Sequence, residues 1–470
     1  MPVKARCVSA ATAGAFARGF LAAPSTAAKR RALRSLCGAA SAHWKPCNFP
    51  SALGRRRRAH TYQPLVSPAA AFRPESTELA PGGGSVTIRW SHPDRPELEA
   101  SSSFHAGWLR RNCRCEACRE PSSGQIIAPP CTLLPQYTVT RAELLRGEDL
   151  LSLSWGEEKG HKGVVPCGVL RDFSYDPPLV RFNLRPPPLK PPAPELYYSA
   201  VADSHNGVHQ WLSLLAERGL VVLRGVPVDL GTVEKVASLI AVPQHLIYGK
   251  TFDVYSVENP INAAYSNIEL PLHEDLLYYE SPPGLQLLHC IKFDSCVTGG
   301  ESRFLDAFHA AYGFRAAFPK HFSTLATTPA TFQKVHYERD HPVHMMYQRP
   351  HIQVNHRGEV VAVHWSPPFE GPLRVHPDLV EPYYQAYHKF AQWLQESEDV
   401  IELCMQPGDL LSFNNRRVLH ARREFQLNGG QRHLQGAYVN IDEFKSKYMY
   451  LSQVLGEVAI PFHVGNSDLQ

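Results

Sequence analysis

Short apolar patterns, each closed by glycine or proline, run through most of this chain. Ser85-Val86-Thr87-Ile88-Arg89-Trp90 alternates with the period of a strand after the breaker Pro81-Gly82-Gly83-Gly84. Leu150-Leu151-Ser152-Leu153-Ser154-Trp155 repeats the pattern before a turn at 156–160. A helical period follows Asp203 or Ser204, either of which can cap it: Val208, Trp211, Leu212 and Leu215 share one face as far as about Glu217. Gly219 stops that helix, and Leu220-Val221-Val222-Leu223 has the continuous apolar character of a short buried strand. From there on the pattern predicts many short strands between Gly/Pro turns and one helix, about Asp378 to Ser397, with Asp378 as N-cap. The expected architecture is mainly β with flanking helices, a sandwich or jelly roll.

The tract 185–194 (RPPPLKPPAP) holds six prolines and predicts an extended, semi-rigid linker at a domain boundary. The chain has 470 residues, enough for two or three domains, with 44% hydrophobic and 20% charged residues. Its apolar runs are too short and interrupted to span a membrane. The net charge of +4 conceals an asymmetry: residues 1–74 hold 13 Lys and Arg and no acid. Removing those 13 from the 48 basic residues leaves 35 against 44 acidic ones, a net of about −9 for the remainder. A nucleic-acid-binding body would carry its own basic patch, so both DNA-binding and RNA-binding readings are disfavoured. The segment 1–74 is cationic, Ala/Ser-rich and acid-poor, with Arg18 breaking its most apolar stretch. It predicts a mitochondrial transit segment, drawn inward by the membrane potential, and not a secretory signal.

Eleven cysteines, an odd number at low density, argue against a disulfide scaffold in a reducing compartment. Three crowd into Cys113-Arg114-Cys115-Glu116-Ala117-Cys118, a spacing that lets three thiolates converge on Zn²⁺. The fourth ligand is expected to be His161, on the turn after the 150–155 strand, with Cys131 and Cys167 as competitors. Four protein ligands would make such a site structural.

His273-Glu274-Asp275 places an imidazole and a carboxylate on one face of a strand. The spacing alone says little, because His92-Pro93-Asp94 and His376-Pro377-Asp378 share it at proline-bearing turns. Downstream, the turn Gln406-Pro407-Gly408-Asp409 leads into the strand Leu410-Leu411-Ser412-Phe413, and His420 follows. Two histidines and one carboxylate are the facial triad of non-haem Fe(II) oxygenases, which leaves positions open for an α-keto acid and O₂. The distal carboxylate of such a cosubstrate calls for a bidentate arginine. Arg432, at the head of Arg432-His433-Leu434-Gln435-Gly436-Ala437-Tyr438, is placed for that task.

From about Leu220 to Leu451 the sequence resembles the gamma-butyrobetaine dioxygenase and trimethyllysine dioxygenase family, 2-oxoglutarate-dependent hydroxylases of carnitine biosynthesis. The stretches that carry the resemblance are Tyr248 to Thr251, Pro283 to Cys290, Thr298 to Ser302, Leu419 to Arg423 and Arg432 to Tyr438. Trp108 to Cys113 is similar to the family's entry into its N-terminal zinc site. The resemblance implies a double-stranded β-helix (jelly-roll) catalytic domain, a small N-terminal zinc-binding β domain and a homodimer. It implies that His273, Asp275 and His420 hold iron, and that Arg432 binds 2-oxoglutarate, assisted by Leu288 and the turn from Thr298. It implies zinc on Cys113, Cys115, Cys118 and His161.

A trimethylammonium group makes no conventional hydrogen bond and is held by aromatic faces. The family positions for such a cage match Tyr248, Tyr265 and Tyr438, with Asn262 a polar neighbour. Phe252 stands where the family has Trp, and Leu276 where the butyrobetaine enzyme has Tyr. At 414–416 (Asn-Asn-Arg) the family's acidic and Trp residues are also replaced.

The expected organisation is a leader over 1–74, a zinc-binding domain over 83–184, a linker over 185–195 and the catalytic domain over 196–470. The expected function is hydroxylation of a quaternary-ammonium amino acid with Fe(II), 2-oxoglutarate, O₂ and ascorbate as reductant, in the mitochondrial matrix. Gamma-butyrobetaine is first choice and trimethyllysine the alternative. A catalytically silent zinc-bearing interaction protein of the same fold is the rival from another class. Retention of the whole triad and Arg432 argues against it.

Overall fold

The computed structural model describes residues 68–145, 147–158, 160–179, 185–255 and 266–459. Most of the expected leader, and the positions Asn262 and Tyr265, lie outside the described residues.

Two three-stranded antiparallel sheets build the N-terminal region. One contains Arg73–Leu79, Ser85–Ser91 and Ala100–His105; the other contains Val139–Leu145, Leu150–Trp155 and Lys162–Pro166. The alternation does what its period predicts: Val86, Ile88 and Trp90 meet Leu151, Leu153 and Trp155 in one core. The fold begins before residue 83, since Phe72 belongs to that core and Arg73–Leu79 pairs with Ser85–Ser91. This edge strand was invisible to hydrophobic periodicity because its sequence, RPESTEL, is polar and mostly exposed.

Two further antiparallel-dominated sheets face each other. In the larger, the order is Glu195–Tyr197, Leu220–Arg224, Leu410–Asn414, Leu285–Phe293, Arg432–Val439 and Thr251–Val254, with only the first pair parallel. The smaller runs Leu270–His273, Val418–Arg422, Ser302–Asp306 and Ile401–Leu403. Leu220, Val222, Leu411, Phe413 and Leu434 from one sheet pack on Phe304, Val418 and Ile401 from the other. Phe304 and Phe413 meet edge to face, 5.3 Å between centroids. The alternate residues Val221, Leu223, Leu285, Leu287 and Val439 pack outward against helices. Burial on both faces explains why Leu220 to Leu223 reads as an unbroken apolar run.

The helix after the proline tract spans His205–Arg218, with the Ser204 side chain accepting from Gly207 N at 3.2 Å and Gly219 closing it at φ 80°. The long downstream helix is Pro377–Gln395, and its cap is His376, not Asp378. Pro377 occupies the first helical position and forces the residue before it into an extended conformation, so capping falls to His376. Its Nδ1 accepts from Asp378 N at 3.4 Å. Helices also form at Thr232–Ser238, Ala307–Ala317, Pro319–Thr327 and Ile441–Leu455, where strands and turns were expected.

The proline tract is fastened to the catalytic body. Arg417 Nη2 donates to Pro187 O at 2.7 Å and to Asp306 Oδ2 at 2.8 Å, while Asp306 Oδ2 also accepts from Leu189 N at 3.0 Å. Leu189 is buried between the two sheets.

Candidate active site

Strand pairing delivers the histidines. His273 ends one strand of the smaller sheet and is directly opposite His420 in the next, so the two rings lie 4.2 Å apart. Asp275, two residues on, sets Oδ1 3.6 Å from His273 Nε2 and Oδ2 3.8 Å from His420 Nε2. One ligand atom from each of the three residues lies within 4.8 Å of the others. The decoy pair His376/Asp378 sits exposed at a helix start instead.

The donor set is prepared for a cation. His273 Nδ1 lies 2.7 Å from Pro271 O, and a carbonyl can only accept, so the proton is on Nδ1 and Nε2 carries the lone pair. Burial pushes His420 down to about 3, which keeps its ring neutral. Burial opposes the charge on Asp275, and the hydrogen bond from the Tyr438 hydroxyl favours it. Tyr438 Oη donates to Asp275 Oδ2 at 2.7 Å. Two imidazole lone pairs and one carboxylate match the ligand set of a non-haem iron centre.

Asn415 is a contributor that the sequence did not reveal. Its Oδ1 accepts from Asp275 N and its Nδ2 donates to Asp275 O, each at 2.9 Å, so the ligand's main chain is clamped from both sides. Asn415 sits in the 414–416 stretch noted only for its departures from the family.

The strand Arg432–Val439 carries both expected anchors. Alternation puts Arg432, Leu434, Gly436 and Tyr438 on its inner face. Arg432 is buried, with its guanidinium 5.3 Å from the Phe425 ring centroid and 5.6 Å from that of Phe293. Its polar contact is a long one, Nη2 to Gly300 O at 3.5 Å, and Nε has no partner. Among the described residues no carboxylate lies within ion-pair distance of it. Leu288 is half-buried on the neighbouring strand, opposite Gly436. Thr298 is exposed, and its hydroxyl accepts from Asn428 Nδ2 at 3.2 Å, so it is engaged at the surface and not with Arg432.

At the other end, Phe252 stacks on Tyr438 with centroids 5.0 Å apart and planes 22° from parallel. Tyr248 lies 6.3 Å from Phe252 and has Arg339 over its ring at 5.1 Å. A Cβ at Gly436 would collide with the Phe252 ring, so glycine there makes room for the stack. Tyr248 and Phe252 border a cleft of about 980 Å³ that also touches Tyr255, Tyr279 and Met345. Leu276 presents no ring to it; the residue is buried in the helical core with φ 63°.

The cysteine cluster assembles separately. His161 Nε2 lies 3.6 Å from the Sγ of Cys113 and Cys115 and 3.7 Å from that of Cys118. A tetrahedral zinc at ordinary bond lengths separates sulfur from nitrogen by roughly 3.6 Å. Glu158 Oε2 is 3.1 Å from His161 Nδ1, and is itself held by Arg110 Nε at 2.9 Å. Tyr137 Oη donates to the other Glu158 oxygen at 2.8 Å. Arg110 also reaches Cys118 Sγ at 3.3 Å. Of the two competitors, Cys131 is exposed and Cys167 opens a helix; neither joins the group.

Residues 185–438 match the family described as "Taurine catabolism dioxygenase TauD, TfdA family". The chain is 30% identical to a gamma-butyrobetaine dioxygenase of Pseudomonas sp., covering 83% of this chain and 98% of that one. It is 28% identical to the human gamma-butyrobetaine dioxygenase, over 81% and 97% of the two chains. It is 25% identical to a mitochondrial trimethyllysine dioxygenase of Rattus norvegicus, over 76% and 86%.

Proposed function

This chain belongs to the TauD/TfdA family of dioxygenases, and from that premise we propose that it hydroxylates a small quaternary-ammonium amino acid, gamma-butyrobetaine before trimethyllysine. The observation that carries the reading is the wall formed by Phe252, Tyr438 and Tyr248 beside Asp275, an aromatic surface suited to a cation that forms no conventional hydrogen bonds. Fe(II) held by His273, Asp275 and His420, with 2-oxoglutarate and O₂, would supply the oxidising chemistry, giving succinate and CO₂ with the hydroxylated product.

The chain's own residues do the positioning. Arg432 takes the distal carboxylate of 2-oxoglutarate, the one charge that would compensate its buried guanidinium. Tyr438 serves twice, donating to Asp275 through its hydroxyl and offering its ring to the substrate. Asn415 keeps the Asp275 main chain from shifting. Zinc on Cys113, Cys115, Cys118 and His161 is structural in this reading. The cationic segment before residue 68 addresses the protein to mitochondria, ascorbate keeps the iron reduced, and the enzyme works as a homodimer.

Succinate formation by the full chain with Fe(II), ascorbate and 2-oxoglutarate tests the substrate. Gamma-butyrobetaine should stimulate it more than trimethyllysine, and His273→Ala should bring it to background. Turnover that neither compound stimulates would overturn the quaternary-ammonium reading. For the second metal, elemental analysis should find one zinc per chain. Cys118→Ser should remove that zinc and lower the thermal midpoint by several degrees. Full zinc retention in that variant would refute the four-ligand assignment.

A further inference from the structure

We propose that Arg339 docks the carboxylate of the substrate, so that the cleft selects a zwitterion over a quaternary ammonium that lacks the acid. The inference rests on the substrate reading above and deepens it. The aromatic wall provides for the ammonium group and Arg432 for the cosubstrate, which leaves the substrate's own carboxylate to be held.

A hairpin delivers the arginine. Strands Pro329–His336 and Val343–Pro350 pair with each other in a two-stranded sheet of their own, outside both large sheets. From this arm Arg339, His341, Pro342, Val343 and Met345 line the cleft that Tyr248 and Phe252 border. Two contacts fix the approach. Arg339 Nη2 donates to Ile247 O at 2.9 Å, and the guanidinium lies over the Tyr248 ring, 5.1 Å from its centroid. Both partners belong to the segment that carries the aromatic wall, so the charge is held one ring beyond Phe252.

That charge has no acid to answer it. Arg339 is half-buried, and among the described residues no carboxylate lies within ion-pair distance of it. Its chain neighbours Glu338 and Asp340 are exposed. Asp253, the one acid among the residues lining the cleft, is engaged by His433 Nε2 at 2.8 Å and Gln435 Nε2 at 3.1 Å. A guanidinium has five N–H donors, and Ile247 O accounts for one of them.

Left bare, this cation would repel a trimethylammonium group bound on the neighbouring rings, because the two charges lie within a Debye length of about 10 Å. A carboxylate between them turns the repulsion into attraction on both sides. In gamma-butyrobetaine the nitrogen and the carboxylate carbon are four bonds apart, about 5 Å when extended. An ammonium sits within ~6 Å of the ring centroids that attract it. Methyl groups placed against Phe252 and Tyr438 therefore leave the acid within reach of the guanidinium beside Tyr248. The rings accept any quaternary ammonium; the arginine asks for an amino acid.

The test uses the full chain loaded with Fe(II) and 2-oxoglutarate, and compares gamma-butyrobetaine with its primary amide, a cation of nearly the same shape. Half-saturation is read from succinate formation for the acid and from competition against it for the amide. The parent should favour the acid roughly tenfold or more. In Arg339→Gln that preference should fall to within about threefold, and Arg339→Lys, which keeps the charge without the fork, should lie between. No preference in the parent, or an unchanged preference in Arg339→Gln, overturns the proposal. An equal loss for both ligands with a lowered thermal midpoint also overturns it, since that is the mark of a packing role through Ile247. If the parent is stimulated by no quaternary ammonium, the substrate reading fails and takes this inference with it. If the parent is stimulated and its preference survives the substitution, the inference alone fails.

Discussion

Arg432→Met should abolish 2-oxoglutarate binding at ordinary concentrations and yet leave the ligand-free protein more stable. The guanidinium lies near the rings of Phe425 and Phe293 with no acid among the described residues to compensate it, and burial disfavours its charge. A bidentate carboxylate partner in so dry a setting contributes about 2–5 kcal/mol, so KM for 2-oxoglutarate should rise roughly 30- to 5,000-fold. Arg432→Lys keeps the charge without the planar fork and should fall in between. Removing an uncompensated buried cation relieves desolvation, which should raise the thermal midpoint of the ligand-free variant. In the parent, 2-oxoglutarate at about 100 times its dissociation constant should add about 2.7 kcal/mol of stability, and in the variant nothing. Thermal shift with and without 2-oxoglutarate checks both halves. Retained affinity within about threefold would show that another group holds the cosubstrate.

Arg417→Met should cost about 3–5 kcal/mol of stability, because it strands the buried carboxylate of Asp306. It also frees Pro187 O and Glu217 O, which accept from Arg417 at 2.7 and 2.8 Å. Asp306 in turn caps the helix Ala307–Ala317 through Phe308 N and His309 N. One ion pair therefore ties the proline tract, the end of the helix His205–Arg218 and a strand of the smaller sheet. Burial opposes ionisation of Asp306, but Arg417 and the main-chain donors outweigh it and hold the carboxyl below its ordinary value of 3.8. A depressed carboxylate stabilises the fold fully above its unfolded value and loses that contribution as pH falls through the folded one. Urea unfolding should accordingly show parent stability dropping below about pH 4, with this share of the drop absent in Arg417→Met. A variant within about 1 kcal/mol of the parent at neutral pH would mean that the pair is dispensable.

Part of the candidate site was legible because short apolar patterns mark the strands that carry His273, His420 and Arg432. The spacing of His273 and Asp275 marked the pair before any fold was known, although the strand that carries His273, Leu270–His273, ends short of Asp275. What strand period cannot give is which strands pair. Asn415 meets Asp275 from 140 residues away, and in the sequence it looks like an ordinary turn residue. The helices Ala307–Ala317 and Ile441–Leu455 escaped for a different reason. Their buried faces are built on Phe308 and Phe314, and on Phe444 and Tyr448, aromatics that local preference assigns to strands. Packing against the sheets overrode that preference. The proline tract was read for stiffness, whereas its carbonyls and amides are what fasten it.

Arg432 and Tyr438 are six positions apart on one uninterrupted strand, ~20 Å at the rise of an antiparallel strand. The chain therefore contains a ruler whose length is set by covalent geometry and by the hydrogen bonds on both its edges. Loops around the cleft can alter how quickly ligands enter, but they cannot stretch the interval between the two anchors. A substrate longer by one carbon must then slide its skeleton past the metal. Its length would be read out as the position of the carbon that is oxidised.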